Sequence, residues 1–308
     1  MSSPRPSLWV FWSSLGCVLL VLLACRNSRQ APGEASSSVE TPAPSATPPA
    51  ATPGPSVLIA YGSEKKSWFE AEIKEFNRAQ ASLPGGARVE GRAMGSGEAL
   101  QDVLEGRLRP AVFSPASSAY ITLLNDAWTT RTGRPSVLAP SSDSVVISPV
   151  VIAMWKPMAE ALGHPGKRLG WHDVIEVARS ERGWAAYGRP EWGSVKLGHT
   201  HPEYSNSGLL SFLAEAYAGA EKTRELTLED LASKKTRSFL EAVESKVVHY
   251  GKSTGFFAEK MLARGPSYLS AAVLYESSVI ESYSQQGSGL PLVSIYPREG
   301  ALGSSSRT

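Results

Sequence analysis

The chain has 308 residues, 42% of them hydrophobic and 19% charged, with a formal net charge of +2. That length supports a sizeable core in one or two domains, and the near balance of charge, with no long basic run, excludes a phosphate-tracking nucleic-acid binder. Its two cysteines, Cys17 and Cys25, both fall in the first segment, so the body beyond offers neither a disulfide nor a thiolate metal site.

Arg5 precedes an apolar stretch from Leu15 to Ala24, the pattern of a secretory signal. Leu22-Leu23-Ala24-Cys25 resembles the bacterial lipobox. That resemblance implies a lipoprotein signal peptide over residues 1–25, with Cys25 taking a diacylglycerol and tying the chain to a membrane in the cell envelope. Arg26 after the cysteine, where some lipoproteins carry Asp, favours the outer membrane by resemblance to known sorting patterns, with a periplasmic or an outer-membrane-facing placement both open. Trp9, Phe11 and Trp12 lengthen the apolar region, so an uncleaved anchor is the competing reading. Residues 26–55 are rich in Ser, Thr, Ala and Pro. Such a stretch buries too little apolar surface to fold, and its prolines extend it, so it is expected to be a disordered tether.

The body opens with Ser56–Tyr61, an apolar run of the kind found in buried parallel strands. Gly62-Ser63 turns the chain into a helix that ends near Gln80, with Trp68, Phe69, Ile73 and Phe76 on one face. Arg88–Ala93 predicts a strand running into Gly95-Ser96-Gly97, and Ala99, Leu100, Val103 and Leu104 mark the next helix. Pro110–Phe113 is a third strand, ending in Ser114-Pro115-Ala116-Ser117-Ser118 before another helix. Strand, loop and helix repeat three times, which predicts an α/β lobe over 56–147 with parallel strands and ligand positions at their carboxyl ends. Ser63, Ser96, Gly97, Ser114, Ser117 and Ser118 fall there.

The run from Ser144 to Trp155 is too long for one ordinary strand. Pro149 in its middle cannot donate to a ladder, so a strand pair or an interdomain crossover is expected. Residues 148–297 read as a second, more helical lobe, followed by a tail over 298–308. Helices are expected around Trp171–Arg179, Ser207–Gly219, Leu228–Val248 and Ser267–Tyr283, with strands at Ser194–Leu197 and Pro291–Tyr296. Ser205-Asn206-Ser207-Gly208 has the grammar of a helix N-cap, whose side-chain oxygens take unpaired N–H groups and whose dipole suits an anion or polar ligand. Met94-Gly95-Ser96-Gly97 shares that grammar. Each alone reads as an ordinary cap, but facing one another across a cleft they would form a clamp.

Other chemistry fares worse. His199 and His201 share one face of a strand and could join Glu203 around a metal, but no further firm ligand is evident and structural hydrogen bonding is expected. No Gly-x-Ser-x-Gly elbow occurs, and Gly95-Ser96-Gly97 lacks both the lysine of a P-loop and the third glycine of a dinucleotide fingerprint. Tyr275 and Glu276 sit in an apolar helix pattern suited to packing or to a lobe–lobe hydrogen bond. No enzyme, no cofactor and no metal site is expected.

Several stretches carry a family resemblance: Gly95–Leu100, Ser114–Ser118, Ser148–Trp155, Gly198–Pro202 leading into Ser205–Gly208, Tyr275-Glu276, and Tyr296-Pro297-Arg298-Glu299-Gly300. Together they resemble the type II periplasmic-binding-protein superfamily, in particular the extracellular solute-binding domain of bacterial lipoproteins. In longer relatives that domain is often fused to a von Willebrand A domain. The resemblance implies two α/β lobes around a ligand cleft and a small-molecule ligand. It also implies a membrane transporter or envelope protein as partner. The nearest characterised relatives hold oxyanions such as molybdate or sulfate with serine hydroxyls and backbone N–H groups. The positions that answer to this are Ser63, Ser96, Gly97, Ser114, Ser117, Ser118, Asn206, Ser207 and Tyr275, and the absence of Lys or Arg from these loops suits an anion held by neutral dipoles. The family's crossing back into the first lobe after Gly300 has no counterpart, so the fold is expected to be incomplete at its C-terminus. The competing function is an envelope scaffold or protein-interaction domain, a fragment of a larger von Willebrand A protein without a transport role.

Overall fold

Two β-sheets, each flanked by helices, organise the chain. The computed structural model describes residues 54–83, 85–135, 144, 146–285 and 289–300. The signal segment with Cys25, the tether up to residue 53 and residues 301–308 lie outside the described residues.

In the first lobe, β1 (Ser56–Gly62) is central, with β2 (Arg88–Met94) and β3 (Val112–Ser114) on either side, all parallel. Helix α1 (Lys66–Gln80) links β1 to β2, α2 (Ser96–Leu104) links β2 to β3, and α3 (Ala119–Thr132) follows β3. Strand and helix alternate in the order expected. The buried core of this lobe is small: Ala60, Met94, Ala99 and Leu108 form one cluster, with Leu58, Val103 and Phe113 packed against them, and Tyr61, Tyr120 and Leu124 are buried beside it. Helix α1 buries none of its residues fully and holds the sheet through Phe69, stacked on Tyr61 at 4.4 Å between centroids.

The second lobe carries the main core. Its sheet has the order β6-β5-β7-β4-β8, built from β4 (Val150–Trp155), β5 (Leu197–Thr200), β6 (Val247–Gly251), β7 (Ala271–Tyr275) and β8 (Leu292–Ile295). Strands β5, β6 and β7 run parallel, and β4 runs antiparallel to both β7 and β8. Around them lie α4 (Lys156–Ala161), α5 (Trp171–Arg179), α6 (Asn206–Ala220), α7 (Leu228–Ala232), α8 (Lys234–Glu244), α9 (Thr254–Arg264) and α10 (Glu276–Gln285).

Four expectations need correction. The strand expected at Ser194–Leu197 lies instead at Leu197–Thr200, as β5. Of the two readings of the 144–155 run, the strand pair fails: its described residues hold one strand, β4, which begins after Pro149, whose carbonyl accepts from Glu276 N at 2.9 Å. Leu228–Val248 is two helices and the start of a strand, because Ser233 Oγ accepts from Thr236 N and starts α8 afresh, while Val247 pairs with β5. Ser267–Tyr283 is β7 followed by α10. All five residues of β7 are buried between β5 and β4, and a short, fully apolar run reads the same as a buried helix by periodicity.

The segment after β8 is clasped to the start of α5. Glu299 accepts from Trp171 N at 3.1 Å and lies 2.9 Å from His172 Nδ1, while Asp173 accepts from Gly170 N at 2.9 Å. Lys167 lies 2.6 Å from Asp173, and Arg298 pairs with the same carboxylate. A Cβ on Gly170 would stand 2.0 Å from Glu299 Oε2, so the clasp needs glycine there. Burial alone would raise both carboxyl pKa values. For Asp173, the contacts with Lys167, Gly170 N and Arg298 outweigh it, and for Glu299 those with His172 and the backbone do, so both end below the ordinary range.

A lowered folded-state pKa gives stability that is complete above the unfolded value, about 4, and is lost as pH falls through the folded one. The urea midpoint is therefore expected to drop on acidification below about pH 4. Asp173→Asn and Glu299→Gln should each cost about 1–3 kcal/mol at neutral pH and flatten that acid slope; urea titrations across pH check both.

Candidate functional site

The two lobes meet through helix starts. Tyr204 O, on the loop between β5 and α6, accepts from both Gly97 N and Glu98 N at 3.1 Å, filling the N-terminus of α2. In the other direction, Ser63 Oγ, just after β1, accepts from Gly255 N at 3.0 Å in the first turn of α9. Each lobe thus caps a helix of the other. The approach is close: a Cβ on Gly97 would lie 2.1 Å from Glu203 O, and one on Gly95 2.2 Å from Tyr204 O. Lys66–Glu259 at 3.2 Å and Lys252–Glu98 at 3.7 Å flank the seam.

The candidate residues divide into two groups. Ser63, Ser96, Gly97, Asn206 and Ser207 are buried and engaged with protein partners. Ser96 Oγ accepts from Ala116 N at 3.0 Å. Ser207 Oγ lies 2.7 Å from both Thr200 Oγ1 and Thr254 Oγ1, and Asn206 Nδ2 donates to Tyr275 Oη at 2.7 Å. Ser205 is the N-cap of α6, but its hydroxyl makes no capping bond and instead faces Thr254 at 3.3 Å. The two loops therefore do not face each other across open space. Their backbones touch.

Ser114, Ser117, Ser118 and Tyr275 instead border a cavity of about 270 Å³ between the lobes. It opens beside the first turn of α3 on one side and that of α10 on the other, with Ser148 and Ser277 completing the hydroxyl lining. Tyr275, fully buried, has its phenol pKa raised well above the ordinary value by burial and by Glu64, so it stays a donor. With its oxygen accepting from Asn206, it keeps its own hydrogen for an acceptor.

Two charged residues here were missed in the sequence, where the loops were read as free of Lys and Arg. Lys65 and Glu64 follow Ser63 and line the cavity. Lys65 Nζ donates to Ser114 O at 2.8 Å, Ser114 Oγ at 2.9 Å and Pro115 O at 3.2 Å, and lies 4.0 Å from Glu64. Burial lowers the ammonium pKa against Glu64's pull, and burial raises the Glu64 carboxyl against Lys65. The available signal was their place at the carboxyl end of β1. Thr254, also missed, sits in Ser253-Thr254-Gly255, which has the same Ser/Thr-before-glycine grammar as the two loops that were singled out.

His199 and His201 do share β5 and its continuation but serve different partners. His199 turns into the core toward Glu244, and His201 Nδ1 accepts from Glu203 N at 3.3 Å. Tyr275 and Glu276, expected within one helix, straddle the junction of β7 and α10.

The family model described as bacterial extracellular solute-binding protein matches residues 57–302. No curated protein matches. Among solved structures, the sulfate-binding protein SubI from Mycobacterium tuberculosis H37Rv is similar at TM-score 0.52 and 17% identity, over 81% of this chain and 73% of that one. The periplasmic binding protein AfuA from Actinobacillus pleuropneumoniae, solved with fructose-6-phosphate, is similar at 0.50 and 15%, over 80% and 71%. A periplasmic thiamin binding protein follows at 0.51 and 11%, over 81% and 70%. At these identities the likeness is one of fold: two α/β lobes of the type II periplasmic-binding kind.

Because a methyl group at Gly97 has no room against the Glu203 carbonyl, Gly97→Ala is expected to cost about 1–3 kcal/mol and to loosen the lobe contact. Ser96→Ala, which removes one hydroxyl acceptor, should cost about 1 kcal/mol. Denaturant unfolding of the two variants checks the ranking, and a Gly97→Ala cost below that of Ser96→Ala would contradict the close-approach argument.

Proposed function

The chain belongs to the bacterial extracellular solute-binding protein family, and from that membership we propose that it captures a small anionic solute in the interlobe cavity. The family and its structural neighbours are binding proteins. The observation that carries the anionic reading is the cavity of about 270 Å³, where Lys65, the hydroxyls of Ser114, Ser117, Ser118, Ser148 and Ser277, and the Tyr275 phenol converge. The first turns of α3 and α10 add the positive ends of two helix dipoles. The raised pKa of buried Glu64 works against a second full negative charge beside the solute. Sulfate and a sugar phosphate are bound by SubI and AfuA, and an anion of that size class suits this cavity. Ser63, Ser96, Gly97, Asn206 and Ser207 act around the site by holding the lobes together and by positioning Tyr275.

The proposal extends to location. Residues 1–25 direct export, Cys25 carries the lipid, and residues 26–55 hold a body of two lobes, 56–147 and 148–297, away from the membrane, where it delivers its solute to a membrane transporter. The support is the lipobox-like Leu22-Leu23-Ala24-Cys25 and the composition of the stretch after it.

Thermal shift on the purified chain with sulfate, molybdate, phosphate, a sugar phosphate, thiamin and a neutral sugar tests the solute reading. An anion at a hundredfold excess over its Kd should stabilise by about 2.7 kcal/mol. Lys65 acts through its charge and through the Ser114–Pro115 turn that its three N–H groups hold, so Lys65→Met should weaken that anion by roughly tenfold or more, and Ser117→Ala by less. A shift with the neutral sugar alone would sink the anionic reading, and no shift across the panel would favour an envelope scaffold. For location, metabolic labelling with a palmitate analogue should mark the chain and be lost in Cys25→Ala; equal labelling of both would refute lipidation at Cys25.

A further inference from the structure

Behind the Thr200–Ser207 loop, inside the second lobe, one histidine and two carboxylates from three elements converge. His199 on β5, Glu215 on α6 and Glu244 at the end of α8 bring ligand-type atoms within 4.8 Å of one another. His199 is 2% exposed and Glu215 fully buried. Glu215 lies beside the half-buried Glu244, and two carboxylates so placed are unfavourable unless a proton or matching positive charge lies among them. Among the described residues no lysine or arginine pairs with either; His199 pairs with Glu244, and burial pushes the Glu215 carboxyl above the ordinary range, so protons hold the place that a cation would take.

Each of the three groups is oriented from outside. His199 Nδ1 donates to Thr200 O at 2.7 Å, which turns Nε2 inward, 3.1 Å from Glu244 Oε1. Ser211 Oγ donates to Glu215 Oε1 at 2.7 Å, and Tyr250 Oη donates to Glu244 Oε2 at 2.5 Å. This is the arrangement by which outer hydrogen bonds fix a histidine tautomer and aim carboxylates at a metal. One further observation points to an occupant: Glu215 Oε2, on a fully buried side chain, has no hydrogen-bond partner.

We propose that His199, Glu215 and Glu244 bind one divalent transition-metal cation of the Zn²⁺ type, which ties β5, α6 and α8 together behind the loop that meets the first lobe. An imidazole nitrogen with two carboxylate oxygens is a donor set that Zn²⁺ accepts, at about 2.0–2.2 Å per bond, so the donors close inward on binding. The charge balances: a divalent ion, two carboxylates and a neutral imidazole sum to zero. Glu244, 26% exposed at its side chain, and Tyr250 on the edge strand β6 give the ion a way in. The site lies apart from the interlobe cavity and stands whether or not a solute binds there.

The test is titration of the full chain, stripped with a chelator, with Zn²⁺ by calorimetry and by thermal shift. Binding should saturate at one equivalent and raise the melting midpoint. Glu215→Gln keeps the side-chain shape and removes the charge, and His199→Ala removes the nitrogen; each should weaken binding by roughly tenfold or more. His201→Ala and Glu203→Ala, which alter the neighbouring surface pair, should leave binding unchanged. No heat and no midpoint shift up to millimolar Zn²⁺ would overturn the proposal. So would undiminished binding in Glu215→Gln or loss of binding in His201→Ala. If the core variants do not fold, zinc-edge X-ray absorption of the wild-type chain decides: one imidazole with oxygen donors supports the site, whereas several imidazoles or water alone refutes it.

Discussion

The arrangement of the whole body depends on two helix starts that each lobe satisfies for the other. The first N–H groups of a helix have no partner within it, and burying them unpaired is costly. Here Tyr204 O supplies α2 and Ser63 Oγ supplies α9, each from across the seam. This reciprocity explains why Gly95, Gly97 and Gly255 stand where they do. A Cβ on any of them would lie between 2.1 and 2.2 Å from an opposing backbone oxygen, and only a bare backbone comes close enough to make the bond. The same closeness moves the open space away from these loops, toward the ends of β3 and β7, where serines, Lys65 and Tyr275 surround the cavity.

The lobes contribute unequally. In the second, β4 and β7 are buried along their whole length and pack against helices on both faces. In the first, the buried apolar side chains among the described residues are fewer, with Tyr61, Tyr120 and Leu124 beside a cluster of four, and Trp68 and Phe76 of α1 remain 42% and 41% exposed. Apolar burial is the dominant favourable term in folding, so the second lobe provides the firm surface and the first is held largely by its sheet and by the seam. Tyr275 shows the consequence at the cavity. Its backbone belongs to the central strand of the firm lobe and its hydroxyl is fixed by Asn206. The serines opposite it sit on the short edge strand β3 and the turn that follows.

How much of this the sequence disclosed depended on whether the deciding contact was local. Three strand–loop–helix repeats in residues 56–132 were legible because each element's periodicity is written in its own residues. The grammar of Gly95-Ser96-Gly97 and Ser205-Asn206-Ser207 correctly marked two helix starts. It could not reveal that these starts meet, since Tyr204 acts through a carbonyl that every residue carries. Residues 271–275 were misread because five apolar residues in a row look alike in a buried strand and a buried helix, and only β5 and β4 on either side decide. Lys65 was overlooked because its role comes from contacts with Ser114 and Pro115, far along the chain. The pairing of His199 with Glu215 and Glu244, rather than with His201 and Glu203, likewise depends on three elements brought together by the sheet.

The chemistry of the seam also decides how readily the cavity can open. The bonds that cross it include backbone and hydroxyl hydrogen bonds, two ion pairs near the surface and the Lys66 ammonium over the Phe256 ring at 5.2 Å. Each such hydrogen bond is worth only about 0.5–1.5 kcal/mol net, because water takes over both partners when it breaks. Exposed ion pairs add about 0–1 kcal/mol. A seam of this kind separates at a cost of a few kcal/mol, whereas an interface of interlocked apolar side chains would not. The helix starts it uncovers are well solvated when open, so neither state strands a buried polar group. On the proposed reading, a solute bridging Lys65 and the serines of one lobe to Tyr275 and Ser277 of the other would need to supply only that modest difference to hold the lobes shut, and the polar character of the loops would keep such closure compatible with release.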